Sequence, residues 1–146
     1  RDQTVAAMFS RSCGGRTRTP QEIGLPGQGY PYFAVVCEYC LRHPSRWSRR
    51  VSESEAGDLL KRGEPSRLEI DRRLGWDAVP SNNFTTRNDE QGTVLEGAGQ
   101  GHGIGLCQAG AKAMAQAGSG FHAILNHYYP NTTLISLDQI HLSAAR

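Results

Sequence analysis

No apolar stretch in the 146 residues approaches the ~20 needed to cross a bilayer as a helix, so a membrane span is excluded for this chain. Charge of one sign is also scarce. Sixteen Lys+Arg stand against 14 Asp+Glu, a formal net charge of +2, and the basic residues form no long run. A dedicated nucleic-acid binder carries a stronger basic footprint, and that class is set aside. Aromatic residues are only 8% of the chain, yet 38% hydrophobic residues are enough for one packed core, and 21% charged residues do not describe a disordered chain. The length suits a single domain over residues 1–146. A Met start is missing as well: the chain opens on Arg1 with no leader-like segment, so we expect a processed chain or a portion of a longer one, and its compartment is not legible directly.

Glycine, by contrast, is abundant. There are 17 in 146 residues, about 12% against roughly 7% in average proteins. The excess gathers in Gly24–Gly29 and Gly97–Gly105, which marks special backbone geometry rather than low complexity. Between these segments the pattern predicts mixed elements. Thr4–Phe9 and Tyr32–Val36 read as strands, as do Leu68–Asp71, Thr93–Glu96 and Leu134–Leu137, with short strands expected somewhere in Leu74–Asn88. Ser52-Glu53-Ser54-Glu55 has the capping-box spacing for a helix that buries Leu59 and Leu60 and stops at Gly63. Leu106, Gly110, Ala113, Met114 and Ala117 recur at helical spacing with a small-residue face, ended by Gly118. A last helix over Phe121–Tyr128 sets Phe121, Ile124, Leu125 and Tyr128 on one side and cannot pass Pro130. Without regular βαβ alternation, the predicted class is α+β, with two C-terminal helices.

The segment Gly97-Ala98-Gly99-Gln100-Gly101-His102-Gly103-Ile104-Gly105-Leu106-Cys107-Gln108 sets a histidine in glycine, between a strand and a helix. No neighbouring side chain shields the ring, so an imidazole and several backbone N–H groups are expected to face a cleft, with Gln108 beside them. The plainer alternative is a tight turn in which His102 hydrogen-bonds locally. A dinucleotide loop fails, because the third glycine of G-x-G-x-x-G and the acidic residue about 20 positions on are both missing. The run Gly99–Ala111, with Met114-Ala115 and Ile124-Leu125-Asn126-His127-Tyr128-Tyr129-Pro130 after it, closely resembles the C-terminal signature of the SpoIID/LytB-domain family, the stage II sporulation protein D and amidase-enhancer group. Phe9-Ser10-Arg11-Ser12-Cys13-Gly14-Gly15-Arg16-Thr17 and Pro31-Tyr32-Phe33 match the same family's upstream pattern in order, so the resemblance covers most of residues 5–137.

That resemblance implies an extracytoplasmic protein acting on peptidoglycan glycan strands, with other cell-wall hydrolases as partners. Its founding activity is a lytic transglycosylase that cuts between N-acetylmuramic acid and N-acetylglucosamine and closes a 1,6-anhydro ring. One carboxylic acid serves as acid and then as base. The resemblance also implies substrate contacts from Ser12, Arg16, Thr17, His102 and Gln108, while Tyr128, with Tyr129, either stacks on sugar rings or closes the core. The family's catalytic glutamate sits on an alanine-rich helix upstream of the cysteine-glycine motif, and none of the eight glutamates here matches it by position. We therefore expect no catalytic residue in this chain, with the proton donor lying upstream. The rival readings are a non-catalytic glycan-binding or amidase-stimulating module and a metal-stabilised structural domain.

Cys37-x-x-Cys40-x-x-His43 has metal-ligand spacing, and Cys13 would complete a Cys₃His structural zinc site. Family members carry cysteines near the Cys13 and Cys40 positions, so the resemblance leaves a disulfide between those two open as the alternative, with Cys37 and Cys107 to be explained separately. Cys107 reads as a small buried apolar residue.

Overall fold

A computed structural model describes residues 3–27, 29–56, 59 and 66–136. Strand β1 (Phe9–Ser10) runs parallel to β5 (Leu106–Cys107). Strands β2 (Arg46–Val51), β4 (Gly92–Ala98) and β3 (Phe84–Asp89) form an antiparallel sheet in the order β2-β4-β3. Helices α1 (Glu38–Arg42), α2 (Glu53–Ala56) and α3 (Arg67–Leu74) interleave with these strands, and α4 (Gln108–Gln116) and α5 (Phe121–Tyr128) close the C-terminal side. The class is α+β, as the composition of elements predicts.

Two hydrophobic cores organise the chain. One joins Cys13, Tyr32, Cys37, Cys40, Ile104, Cys107, Ile124, Tyr128 and Tyr129, under the two C-terminal helices. The other packs Val51, Ile70, Ala78, Val79 and Leu95 beneath the three-stranded sheet. The glycine-histidine loop bridges them. From the sheet side, Gly99 N donates to Ser45 O (2.8 Å) and Gly101 N to Pro80 O (2.9 Å). From the other, Ser12 and Gln100 exchange backbone bonds and Leu106 N donates to Met8 O (3.0 Å). Gly105 has φ +73°, and a Cβ there would overlap the Met8 carbonyl, so glycine is what lets β1 and β5 pair this closely.

Local signals set most elements, with instructive exceptions. Helix α5 has the predicted limits, although Phe121 is exposed while Ile124 and Tyr128 are buried. Ser52 and Glu55 do form a reciprocal cap at the start of α2, and Leu59 packs against the second core; Leu60 and Gly63 lie outside the described residues. The predicted strand at Leu68–Asp71 is instead part of α3. Ser66 Oγ accepts from Glu69 N and the Glu69 carboxylate accepts from Ser66 N, a second capping box that outweighs the local alternation. Tyr32–Val36 is not a strand either. Tyr32 takes φ +47°, its hydroxyl donates to Ala6 O, and Val36 makes only an isolated bridge with Arg16. Of Thr4–Phe9 only Phe9 joins a ladder, and Leu134–Ser136 have no regular structure, while Leu137 is outside the described residues. The basic stretch after His43 is strand β2, whose Trp47 packs on Phe84.

Candidate functional site

The His102 loop does not project its ring into open solvent. The imidazole is half-buried, and Nδ1 accepts a hydrogen bond from Ile104 N at 2.9 Å, two residues along the same loop. That bond fixes the neutral ring with its proton on Nε2. Burial first, and the positive charge of Arg67 as well, hold the His102 pKa below its ordinary value, against a hydrogen bond with the Phe9 backbone. The ring is therefore a neutral, oriented group near pH 7. Gly99, Gln100, Gly101, Ile104 and Leu106 spend their N–H groups on protein acceptors, which corrects the expectation of a loop aiming these donors at a ligand.

The other residues suggested by the sequence separate into two groups. Ser12, Thr17 and Tyr128 are interior: their exposures are 7%, 0% and 1%. Thr17 Oγ1 donates to Phe33 O (3.1 Å) and accepts from Val35 N (2.8 Å), tying down the segment after Tyr32. Ser12 Oγ and Tyr128 Oη each contact a cysteine sulfur. Their polar atoms are engaged inside the fold, which departs from the expected cleft lining at Ser12 and Thr17 and matches the core alternative for Tyr128. Arg16 and Gln108 are exposed, Arg16 paired with Glu22 and Gln108 opening α4.

A cleft of about 330 Å³ is lined by residues the sequence did not mark as a site. Ser66, Arg67 and Glu69 of the α3 cap line it from one side, Glu22 of a 3-10 turn from another, and Asn82, Phe84, Thr85 and Thr86 from the start of β3. Asn82 connects cleft and loop, since its Nδ2 donates to the His102 carbonyl at 3.1 Å. Arg18 backs the same loop: its N donates to Gly103 O (2.8 Å) and its guanidinium to Asn83 Oδ1 (2.6 Å). Both cleft carboxylates favour ionisation. Burial alone would raise Glu22, but hydrogen bonds from Arg16 and Thr19 N prevail and lower its pKa. The N–H and hydroxyl of Ser66 hold Glu69 below its usual range. The signal for this wall was the Ser66-x-x-Glu69 pattern, hidden by the alternation of Leu68 and Ile70.

Four sulfurs meet on the opposite side of the loop. Cys13, Cys37, Cys40 and Cys107 are buried free thiols whose Sγ atoms all lie within 4.8 Å of one another, an arrangement able to bind a metal. Hydrogen bonds with Cys107 and Cys37, then burial, push the Cys13 thiol up, whereas hydrogen bonds from Cys107 and Cys13 favour a thiolate on Cys37. His43 is not in the group: it is exposed at the end of α1, with its ring tilted against Tyr39 (centroids 4.9 Å apart). The spacing placed His43 in the fourth position; the fold brings Cys107 there.

Among the described residues no helix is long and apolar enough to cross a membrane. No protein-family model matches the chain. An uncharacterized protein of Brachyspira hyodysenteriae is 28% identical over a 168-residue alignment that takes in 94% of this chain and 45% of that protein. An amidase enhancer of Bacillus subtilis is 43% identical over 68 residues, 47% of this chain and 10% of that protein. The chain thus spans less than half the length of either relative, and over about half of its own length it is similar to an amidase enhancer.

Proposed function

We propose that this chain is part of a SpoIID/LytB-type protein that works outside the cytoplasm on peptidoglycan glycan strands, alongside other cell-wall hydrolases. The observation that carries the reading is the 68-residue stretch 43% identical to the amidase enhancer. A cleft supports this reading: its Asn82, Ser66, Thr85, Thr86 and Arg67 offer the donors and acceptors that sugar hydroxyls and acetamido groups require. Asn82 is held by the His102 carbonyl, so the loop positions a cleft residue without its ring touching sugar. Exposed Arg16 and Gln108 stand as further contacts at the edge.

In the complete protein the reaction is transglycosylation. A carboxylic acid protonates the glycosidic oxygen between N-acetylmuramic acid and N-acetylglucosamine, and its conjugate base then takes the proton of the muramoyl 6-hydroxyl as the 1,6-anhydro ring closes. Such an acid must stay protonated near neutral pH, and Glu22 and Glu69 are both pushed the other way. Following the resemblance, we place the acid upstream and give this chain a binding wall. The likeness to an amidase enhancer favours the second reading, a non-catalytic glycan-binding or amidase-stimulating module. A structural zinc ion at the cysteine cluster belongs to either reading and takes no part in the chemistry.

Peptide-free glycan strands, offered to the purified chain and to the longer natural protein, test the proposal. Binding by both, with 1,6-anhydro-muramoyl products from the longer protein in mass spectra, is the expected result. Binding without products assigns the module reading, and absence of binding by both overturns the glycan reading altogether. Asn82→Ala should weaken binding of the chain severalfold.

A further inference from the structure

We infer that Cys13, Cys37, Cys40 and Cys107 form a closed tetrathiolate site for zinc, and that this ion fastens the His102 loop to the rest of the fold. The inference is independent of the glycan reading. It begins with four sulfurs from three separate parts of the chain. Cys13 follows β1, Cys37 caps α1 with Cys40 one turn later on the same face, and Cys107 ends β5 and caps α4. A tetrahedral ion with bonds of about 2.3 Å to sulfur sets sulfurs roughly 3.8 Å apart. Here all four lie within 4.8 Å, and Cys40 Sγ and Cys107 Sγ are 3.5 Å apart.

Although the sulfurs lie in the first hydrophobic core, polar donors reach them there. Cys13 N and Gly110 N both donate to Cys107 Sγ at 3.4 Å. The Tyr128 hydroxyl lies 3.5 Å from Cys37 Sγ, and the Ser12 hydroxyl 3.5 Å from Cys40 Sγ. Three of the four sulfurs thus have an N–H or O–H group set against them, the kind of outer support that holds metal ligands in place. Gly110 has no side chain where a Cβ would overlap Tyr128 Oη and Cys37 Sγ, so the fourth helix can carry Cys107 into the group. An all-sulfur tetrahedral set selects zinc or iron among common metals, and zinc needs no redox partner. Cys107 is five residues after His102, and Cys13 adjoins Ser12, which pairs with Gln100 of the loop. One ion therefore ties both ends of the histidine loop to α1.

Metal analysis of the full 146-residue chain, purified without chelator, should find one zinc per chain. The zinc should be lost in Cys107→Ser and kept in His43→Ala. Zinc kept in the first and lost in the second overturns the assignment of Cys107, and a metal-free chain, with either four titratable thiols or two disulfides, overturns the site. If Cys107→Ser fails to fold, replacement of zinc by cobalt(II) in the unaltered chain decides. Charge-transfer absorption of a four-thiolate tetrahedral ion supports the assignment; a three-thiolate, one-nitrogen spectrum, or native iron in place of zinc, refutes it. Under chelation, amide signals of residues 99–107 should shift while those of β2 and β3 stay in place; unmoved loop signals would refute the fastening role.

Discussion

A single methyl group placed at Gly110 tests how closely the two C-terminal helices and the cysteine cluster are fitted. Gly110 is buried in α4, and a Cβ built on it would fall inside contact distance of Tyr128 Oη and Cys37 Sγ. Its backbone is helical, so Gly110→Ala introduces no left-handed strain and should, by propensity alone, stabilise α4 by about 1 kcal/mol. Against that, overfilling a packed core costs roughly 1–3 kcal/mol. Displacing the Tyr128 hydroxyl from Cys37 costs about 1 kcal/mol more. The balance is a loss of about 1–3 kcal/mol, or a fall in Tm of roughly 3–9 °C for a chain of this size. Urea or thermal unfolding measures it. In a Tyr128→Phe background one of the two obstructing atoms is gone, so the methyl should cost less, with a coupling on the order of 1 kcal/mol. A Gly110→Ala chain as stable as the parent, or more stable, would refute the packing argument and with it the close approach of α4 to Cys37.

Two further outcomes follow from other parts of the structure. The unfolded chain protonates His102 near pH ~6.5, while the folded chain resists until lower pH, so this residue's contribution is fully present above ~6.5 and declines as pH falls through it. Urea midpoints between about pH 7.5 and 5 should therefore fall more steeply in the parent than in His102→Asn, which keeps an acceptor near Ile104 N; equal slopes would count against a buried neutral ring. Asp71 is 3% exposed and accepts from Val79 N at 3.0 Å, with Arg67 Nε 3.4 Å away. Asp71→Ala should cost about 2–4 kcal/mol in urea unfolding, because Val79 N loses its acceptor and Arg67, a wall of the cleft, loses its carboxylate partner and keeps only the Val79 carbonyl.

The amino-acid sequence by itself determined the elements whose signals are local. An apolar stripe and Pro130 delimit α5, the run Thr93–Glu96 sits inside β4, and Ser52 with Glu55 caps α2. It also marked the glycine-histidine segment as one of special backbone geometry, since glycine gathers where side chains would not fit. Where two local signals compete, the chain alone does not arbitrate. At Ser66–Asp71 a capping box and a two-residue alternation coexist; the completed box, with Ile70 buried in the second core, goes with the helix. What only the tertiary structure decided is which distant groups share a site. Cys37, Cys40 and His43 look like one ligand set along the chain, but α1 turns His43 to solvent, and the pairing of β1 with β5 carries Cys107, 67 positions beyond Cys40, to within 3.5 Å of it. Likewise Thr17 and Tyr128 are drawn inward by carbonyl and sulfur partners, and the cleft wall falls to Arg67 and Asn82. Spacing encodes contacts within a turn of helix or a strand pair; contacts across the chain are set by how the two cores pack against the loop between them.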